Sequence, residues 1–287
     1  MTEDPAPDAQ HTLESAVARA RAGDRVALES VMRASRKDVY ALALRYLWNP
    51  QDAEDATQDI LIRVLTGLGG FKGESGFRTW VYRVAVNALL TARTARRQHP
   101  TMSFDELGED LVRGLSGAAL RAEDVAGEGL LVEEVKIGCT LAMLQCLDDD
   151  HRLAYILGEV MELDHSQASV ALSTTQVAFR KRLSRARASV VSFMTSRCGL
   201  VNPDNPCRCH RRLDTALELG RVDAQNLVFA NSPHQARRFP QVLAEIRLLE
   251  DGRRAAALFR SHPGAPESQA FSAWLNGLLR ATRSVDR

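Results

Sequence analysis

The sequence lacks the features that would place it in a membrane, in a secretory pathway or among the common enzymes. No apolar run in its 287 residues approaches the roughly 20 residues that span a bilayer. The acidic start MTEDPAPDAQ has neither the basic end nor the apolar core of a signal peptide. There is no phosphate-binding glycine loop, nucleophile elbow or H-E-x-x-H motif. These absences predict a cytoplasmic protein that is not an enzyme and makes no membrane contact.

Net charge is also small, at +1, but the charges are segregated along the chain. Residues 71–97 carry six basic side chains against one acid, and residues 176–190 carry five and no acid. The segments 51–62 and 103–134 are acidic. Because phosphate neutralisation is local, two basic patches joined by an acidic linker indicate two contacts with a polyanion. Solvated helix faces are the alternative that the charge pattern leaves open.

Apolar residues recur at helical spacing through most of the chain and no strand-like alternation persists, which predicts an all-α fold. We predict an N-terminal tail over 1–24, a helical domain over 25–97, a flexible acidic linker over 98–136, a second helical domain over 137–195 and a helical extension over 196–287. The predicted helices of the first domain cover 24–48, 52–68 and 77–97, and those of the extension lie near 211–230, 236–260 and 268–283.

A helix-turn-helix is predicted within the second domain. Its supporting helix would cover 164–172, its turn and cap 173–175, and its recognition helix 176–190. Phe179, Leu183 and Val190 share one face of the last helix, and basic residues occupy the rest. This arrangement is typical of a helix that enters the major groove. A basic helix that only faces solvent is the alternative.

Two segments carry a family resemblance: DAEDATQDILIRVLTGLGGFKGESGFRTWVYRVAVNALL (52–90) and LDHSQASVALSTTQVAFRKRLSRAR (163–187). They resemble region two and the region-four helix-turn-helix of the extracytoplasmic-function sigma factors, which are small members of the sigma-70 family. The resemblance extends over about 25–97 and 137–195. It implies a factor that directs core RNA polymerase to specific promoters, with catalysis left to the polymerase. Its partners would be core polymerase and promoter DNA, and an anti-sigma protein is left open.

The resemblance also implies roles for individual residues. In the family, the acidic helix docks on a coiled coil of the polymerase's largest subunit; the matching positions are Asp52, Glu54, Asp55, Gln58, Asp59 and Arg63. The following loop and helix contact the non-template strand of the minus-ten element; the matching positions are Lys72, Glu74, Ser75, Arg78, Trp80, Arg83, Asn87 and Arg93. The recognition helix reads the minus-thirty-five duplex; its candidates are Thr175, Gln176, Ala178, Arg180, Lys181, Arg182 and Arg185.

Some positions allow a second interpretation or depart from the family pattern. Basic grooves and stacking surfaces hold single strands, but Trp80 and Tyr82 could equally be core residues. Ala168 and Thr174 stand where larger aliphatic residues are common, and Ser173 replaces the customary turn glycine. A looser or differently packed turn is therefore expected.

The extension begins with a cysteine-containing loop beyond the minimal family. Cys198, Cys207, Cys209 and His210 lie within thirteen residues, and thiolates with imidazole suit tetrahedral zinc. The C-x8-C-x-C-H spacing is not the usual paired knuckle, so zinc, a redox switch and inert buried thiols all stay open. No cofactor is required by the family resemblance. Cys139 and Cys146 share a helix face and are predicted to lie in the core.

Two other functions remain open at this stage. A stand-alone helix-turn-helix regulator would use only the second domain and would leave the acidic segment 52–59 without a role. A metal- or redox-sensing regulatory protein would act through the cysteine-containing extension. The length and the cysteines of residues 196–287 favour a regulatory role for that segment.

Overall fold

The fold is described by a computed structural model over residues 7–95, 102–115, 125–230, 232–264 and 269–281. The side chains of 7–11, 93–95, 125–128 and 281 are outside this description. The helices are α1 (Pro7–Arg21), α2 (Arg25–Leu47), α3 (Pro50–Gly67), α4 (Phe77–Ala95), α5 (Phe104–Arg113), α6 (Val125–Gln145), α7 (Asp149–Tyr155), α8 (His165–Ala171), α9 (Gln176–Arg197), α10 (Leu213–Glu218), α11 (Pro233–Arg247), α12 (Asp251–Arg260) and α13 (Gln269–Ala281). All regular elements of the described residues are helical, which confirms the all-α prediction. None of these helices is long and apolar enough to cross a membrane.

The helices of the first domain begin and end where the sequence contains capping residues. The Asp24 side chain accepts a hydrogen bond from the Ala27 N–H (3.0 Å) at the start of α2, and Trp48 adopts a left-handed conformation at its end. Asn49 caps α3 through the Asp52 N–H (3.0 Å). Pro50 occupies the first turn of α3, where its missing N–H is not needed, so α3 starts two residues earlier than predicted. Helix α2 packs against α1, α3 and α4.

The prediction of a flexible linker is wrong for its first described part. Residues 104–113 form α5, which begins with a reciprocal capping box between Ser103 and Glu106. The Phe104 ring packs against Phe193 of α9 (5.1 Å between centroids), and Leu107 is buried. Asp105, Glu106 and Glu109 thus lie on the solvent-facing side of an amphipathic helix. Residues 125–136, at the other end of the predicted linker, are also helical and form the first half of α6. Residues 98–101 and 116–124 of the predicted linker are outside the described residues.

The linker helix is also tied to the extension by a partly buried ion-pair cluster. The Asp110 carboxylate accepts hydrogen bonds from Arg212 (3.0 Å) and Arg221 (2.7 Å). These two guanidinium groups lower the pKa of Asp110, with the hydrogen bond from Arg221 as the largest cause. Arg212 donates in addition to the Asp110 carbonyl oxygen (3.0 Å).

The extension differs from its predicted helices in two of three places. Residues 211–230 contain only a short 3-10 turn and α10, and the predicted helix over 236–260 is divided into α11 and α12. The third predicted helix is confirmed as α13. The loop after α10 is fixed by Glu134 of α6, whose buried carboxylate accepts the N–H groups of Val228, Phe229 and Ala230 (2.6–2.8 Å).

The two domains and the extension share one main core. Helix α8 packs against α4, so the supporting helix of the helix-turn-helix touches the first domain. Arg45 of α2 donates to the Phe259 carbonyl oxygen of α12 (3.0 Å). Arg152 of α7 donates to the Tyr46 carbonyl oxygen of α2 (3.2 Å). The domain division made from the sequence therefore separates segments that pack together.

Candidate polymerase and DNA interfaces

The predicted docking residues lie on the outer side of α3. The helix buries Ala53, Ile60, Leu61 and Val64 and thereby turns its acidic side to solvent. Asp55, Asp59 and Arg63 are exposed, whereas Asp52, Glu54 and Gln58 are partly exposed. Helical spacing places Asp52, Asp55 and Asp59 in one row, which forms a negative strip suited to a basic partner helix.

The loop before α4 presents the first of the minus-ten candidates. Lys72 and Glu74 are exposed and Ser75 is partly exposed. The loop turns at Gly73, whose φ is +74°, a conformation that favours glycine. Its end is held by α1, because the Glu14 carboxylate accepts the Phe77 N–H (3.0 Å) at the start of α4.

Helix α4 divides the remaining minus-ten candidates into exposed and packed residues. Arg78, Arg83 and Asn87 are exposed. Arg78 forms a bidentate pair with Asp38 of α2 (2.6 and 2.9 Å), and this hydrogen bonding raises the pKa of Arg78. Trp80 is half-buried and forms an aromatic cluster with Phe71 and Phe77. The side chain of Arg93 is outside the described residues.

Tyr82 is settled as a core residue. Its side chain is fully buried, and burial raises the pKa of its hydroxyl. The Arg78 guanidinium carbon lies 5.5 Å from the centre of its ring. Asp38, which no sequence pattern singled out, holds the Arg78 guanidinium against α2.

The helix-turn-helix forms at the predicted positions. Asp164 caps α8 with Gln167 completing a capping box, and Thr175 caps α9 through the Ala178 N–H (3.1 Å). Helix α9 extends to Arg197, which is beyond the predicted end. Its first turns present the candidate readers: Thr175, Gln176, Arg180, Lys181 and Arg185 are exposed, and Ala178 is partly exposed. Arg182 is paired with Asp150 of α7 (2.8 Å).

The turn is strained at the position where the family has glycine. Ser173 has a φ of +49°, in the left-handed region. This conformation costs an L-residue about 1–2 kcal/mol, which glycine avoids at the expense of greater unfolded-state entropy. We expect Ser173→Gly to raise the free energy of unfolding by about 0.5–1 kcal/mol, measured by urea denaturation.

The matched control for this change is Ser166→Gly in the first turn of α8, where the residue is exposed and helical. Glycine disfavours a helix, so this variant should lose about 0.5 kcal/mol. A loss of stability in both variants would contradict the strain at Ser173.

Arg180 is the candidate best placed to contact a base edge, since it is exposed one turn from the N-terminus of α9. We expect Arg180→Ala to weaken binding to the cognate minus-thirty-five sequence by about 1–3 kcal/mol and non-specific binding much less. The measurement is the ratio of specific to non-specific affinity for duplex DNA by fluorescence anisotropy. Arg187→Ala is the control, because Arg187 lies further along α9 and pairs with Glu159, which is between α7 and α8. If Arg180→Ala weakened specific and non-specific DNA binding equally, Arg180 would be a phosphate contact.

The cysteine loop contains the four candidate zinc ligands. Cys198 and Cys207 are paired by one backbone bridge, in which the Gly199 N–H donates to the Cys207 carbonyl oxygen (3.1 Å). Across the described part of the chain, no three His, Cys, Asp or Glu side chains are arranged to hold a metal ion. This arrangement therefore gives no support to zinc binding by Cys198, Cys207, Cys209 and His210, which stays a prediction.

The thiols are poorly suited to rapid redox chemistry as well. Burial raises the pKa of Cys207 to about 11 and also raises the pKa values of Cys198 and Cys209. Such thiols are protonated at neutral pH and react slowly. Cys139 and Cys146 pack against the main core, as predicted. Cys139 also contributes to the raised pKa of Cys209, a proximity that the sequence spacing did not indicate.

Comparison with known proteins agrees with this architecture. The sigma-70 region 2 family model matches residues 31–99. The RNA polymerase sigma-H factor of Pseudomonas aeruginosa is 28% identical over 174 residues, which cover 61% of this chain and 89% of that protein. The ECF RNA polymerase sigma-E factor of Escherichia coli K12 is 28% identical over 182 residues, covering 63% and 93%.

A third relative is about twice as long as its segment that aligns with this chain. The ECF RNA polymerase sigma factor SigG of Mycobacterium tuberculosis H37Rv is 30% identical over 185 residues, covering 60% of this chain and 50% of that protein. The region-two match coincides with α2 to α4, and the alignments with the relatives extend over about three fifths of the chain. Residues 31–99 thus match region 2 of the sigma-70 family, and the chain is similar to extracytoplasmic-function sigma factors over about three fifths of its length.

Proposed function

We propose that the chain is a promoter-specific initiation factor for RNA polymerase. Its acidic α3 docks on the polymerase, the loop before α4 and the exposed face of α4 contact the minus-ten strand, and the first turns of α9 read the minus-thirty-five duplex. The chain contributes recognition and strand capture, and the polymerase contributes the chemistry of RNA synthesis.

The observation that carries this proposal is the joint presence of two different surfaces in the family's order. An exposed carboxylate row on α3 precedes a capped helix-turn-helix whose first turns are basic. A duplex-reading protein that acts alone needs only the second surface. The carboxylate row repels DNA, so it is better explained by a protein partner.

The test is run-off transcription with the purified protein and core polymerase on fragmented genomic DNA from the source organism. Discrete transcripts that disappear without the protein are expected, and their start points give the promoter sequence. If no transcripts appeared and the protein did not bind core polymerase, the proposal would be overturned. Tight promoter-length duplex binding without polymerase would then favour the stand-alone helix-turn-helix regulator.

An anti-sigma protein and zinc in the extension are separate predictions. Affinity capture with the full chain would test the first, and metal analysis of the purified protein would test the second. Neither is needed for the promoter-reading role proposed here.

A further inference from the structure

Helix α13 is an amphipathic helix whose apolar side is buried in the main core. Phe271, Leu275 and Leu279 follow one another at four-residue spacing and are at most 4% exposed. The Trp274 ring lies against Phe271, with 5.5 Å between their centroids. Asn276 lies on the opposite, exposed side. The helix is therefore held in place through one narrow stripe.

The stripe contacts α2 at the edge that faces the polymerase-docking helix. The Arg36 guanidinium carbon lies 4.4 Å from the centre of the Phe271 ring. The same guanidinium is ion-paired with Glu54 of α3 (3.0 Å). One turn earlier, Arg33 donates a hydrogen bond to the Ser272 hydroxyl (3.2 Å). Arg36 thus lies between the extension and a predicted docking carboxylate.

The same contact leaves the outer row of α3 open. Asp55 and Asp59 remain exposed, whereas Glu54 is partly covered, and Arg36 is almost completely buried. A partner helix laid along α3 can reach the outer row freely. To contact Glu54 and the adjoining edge of α2, it must displace Phe271 from Arg36.

We propose that α13 is a displaceable internal ligand for the edge between α2 and α3, and that core polymerase competes with it for this edge. The inference rests on the proposed function, because the competing partner is the polymerase. A thirteen-residue helix has marginal stability in water without packing. Helix α13 can therefore be released as a unit when its apolar stripe loses its contacts with α2. While α13 is bound, the edge is closed, and only the molecules with an open edge can bind polymerase through it. The apparent affinity for polymerase is therefore the intrinsic affinity multiplied by the open fraction.

The test compares core polymerase binding by the full chain and by Phe271→Ala, a residue outside the docking set. The substitution is expected to tighten binding about tenfold, because it weakens the internal competitor. Asn276→Ala on the exposed side of α13 is the matched control and should bind as the unchanged protein does. Far-UV circular dichroism verifies that each variant remains folded.

A second measurement does not depend on a variant. Hydrogen exchange of residues 269–281 in the full chain should speed up when core polymerase is added, whereas exchange in α9 should not. Unchanged exchange in α13, or equal polymerase affinity of the folded Phe271→Ala and unchanged proteins, would overturn the competition. If no form bound polymerase, the proposed function itself would fail and this inference would fail with it.

Discussion

Arg152→Ala is expected to lower the free energy of unfolding by about 4 kcal/mol, more than any other single change considered for this chain. The Arg152 side chain is completely buried. It donates to the carbonyl oxygens of Leu144 (2.7 Å), Gln145 (3.0 Å), Leu147 (2.7 Å) and Tyr46 (3.2 Å). Alanine would leave these buried acceptors without their donor and would create a cavity.

Urea denaturation followed by circular dichroism measures this loss. Arg180→Ala is the control, since Arg180 is exposed and the same truncation there should change stability by no more than about 0.5 kcal/mol. Arg152→Lys should fall between the two, because an ammonium group lacks the planar set of donors that spans these carbonyls. A loss below about 1 kcal/mol for Arg152→Ala would contradict the role given to this side chain.

Asp55→Arg is expected to lower the affinity for core polymerase at least about 100-fold, equivalent to about 2.7 kcal/mol. Asp55 lies in the middle of the exposed row on α3. A charge reversal there replaces an attraction to a basic partner with a repulsion, which costs several kcal/mol at an interface. The substitution is on the surface, so the free energy of unfolding should change by no more than about 0.5 kcal/mol.

Binding to fluorescently labelled core polymerase measures the effect. Glu218→Arg makes the same charge change at an exposed position of α10 and should leave the affinity unaltered. Normal polymerase binding by Asp55→Arg would refute the docking assignment of α3. An equal loss in both variants would instead point to a long-range charge effect.

Local chemistry explains why the helix-turn-helix could be predicted closely. Asp164 and Thr175 are strong N-caps, and both accept the expected backbone N–H groups. The apolar face of Phe179, Leu183 and Val190 is buried as the helical spacing requires. The family resemblance added the roles of the exposed residues, which periodicity alone cannot supply.

The linker contains a local helix signal, but its overall composition favoured the prediction of a flexible segment. Ser103 and Glu106 have the spacing of a capping box, and Leu107 and Leu111 follow at helical spacing. Glycines and acids in the surrounding segment favoured a flexible interpretation. Helix α5 is stabilised by contacts with α9 and with Arg212 and Arg221, which are about a hundred residues away in sequence.

The buried arginines could not have been predicted from sequence. Arginine is usually a surface residue, yet Arg36, Arg45 and Arg152 are buried. In α2, the nearby Arg33 and Lys37 are exposed, so the sequence does not distinguish the buried from the exposed basic residues. Their burial depends on which carbonyls, carboxylates and rings the tertiary fold brings near. The same holds for α13: its apolar stripe can be recognised in the sequence, but its contact with α2 cannot.

The contact between α4 and α8 has a consequence for how promoter DNA can be engaged. Helices that pack together lie about 8–10 Å apart, whereas elements named by positions minus ten and minus thirty-five are separated by 25 base pairs, about 85 Å of straight duplex at 3.4 Å per pair. Under the proposed function, the packed form cannot span both elements. Promoter reading then requires the two domains to separate, so the α4–α8 packing energy is a threshold that polymerase binding must overcome before both elements can be recognised at once.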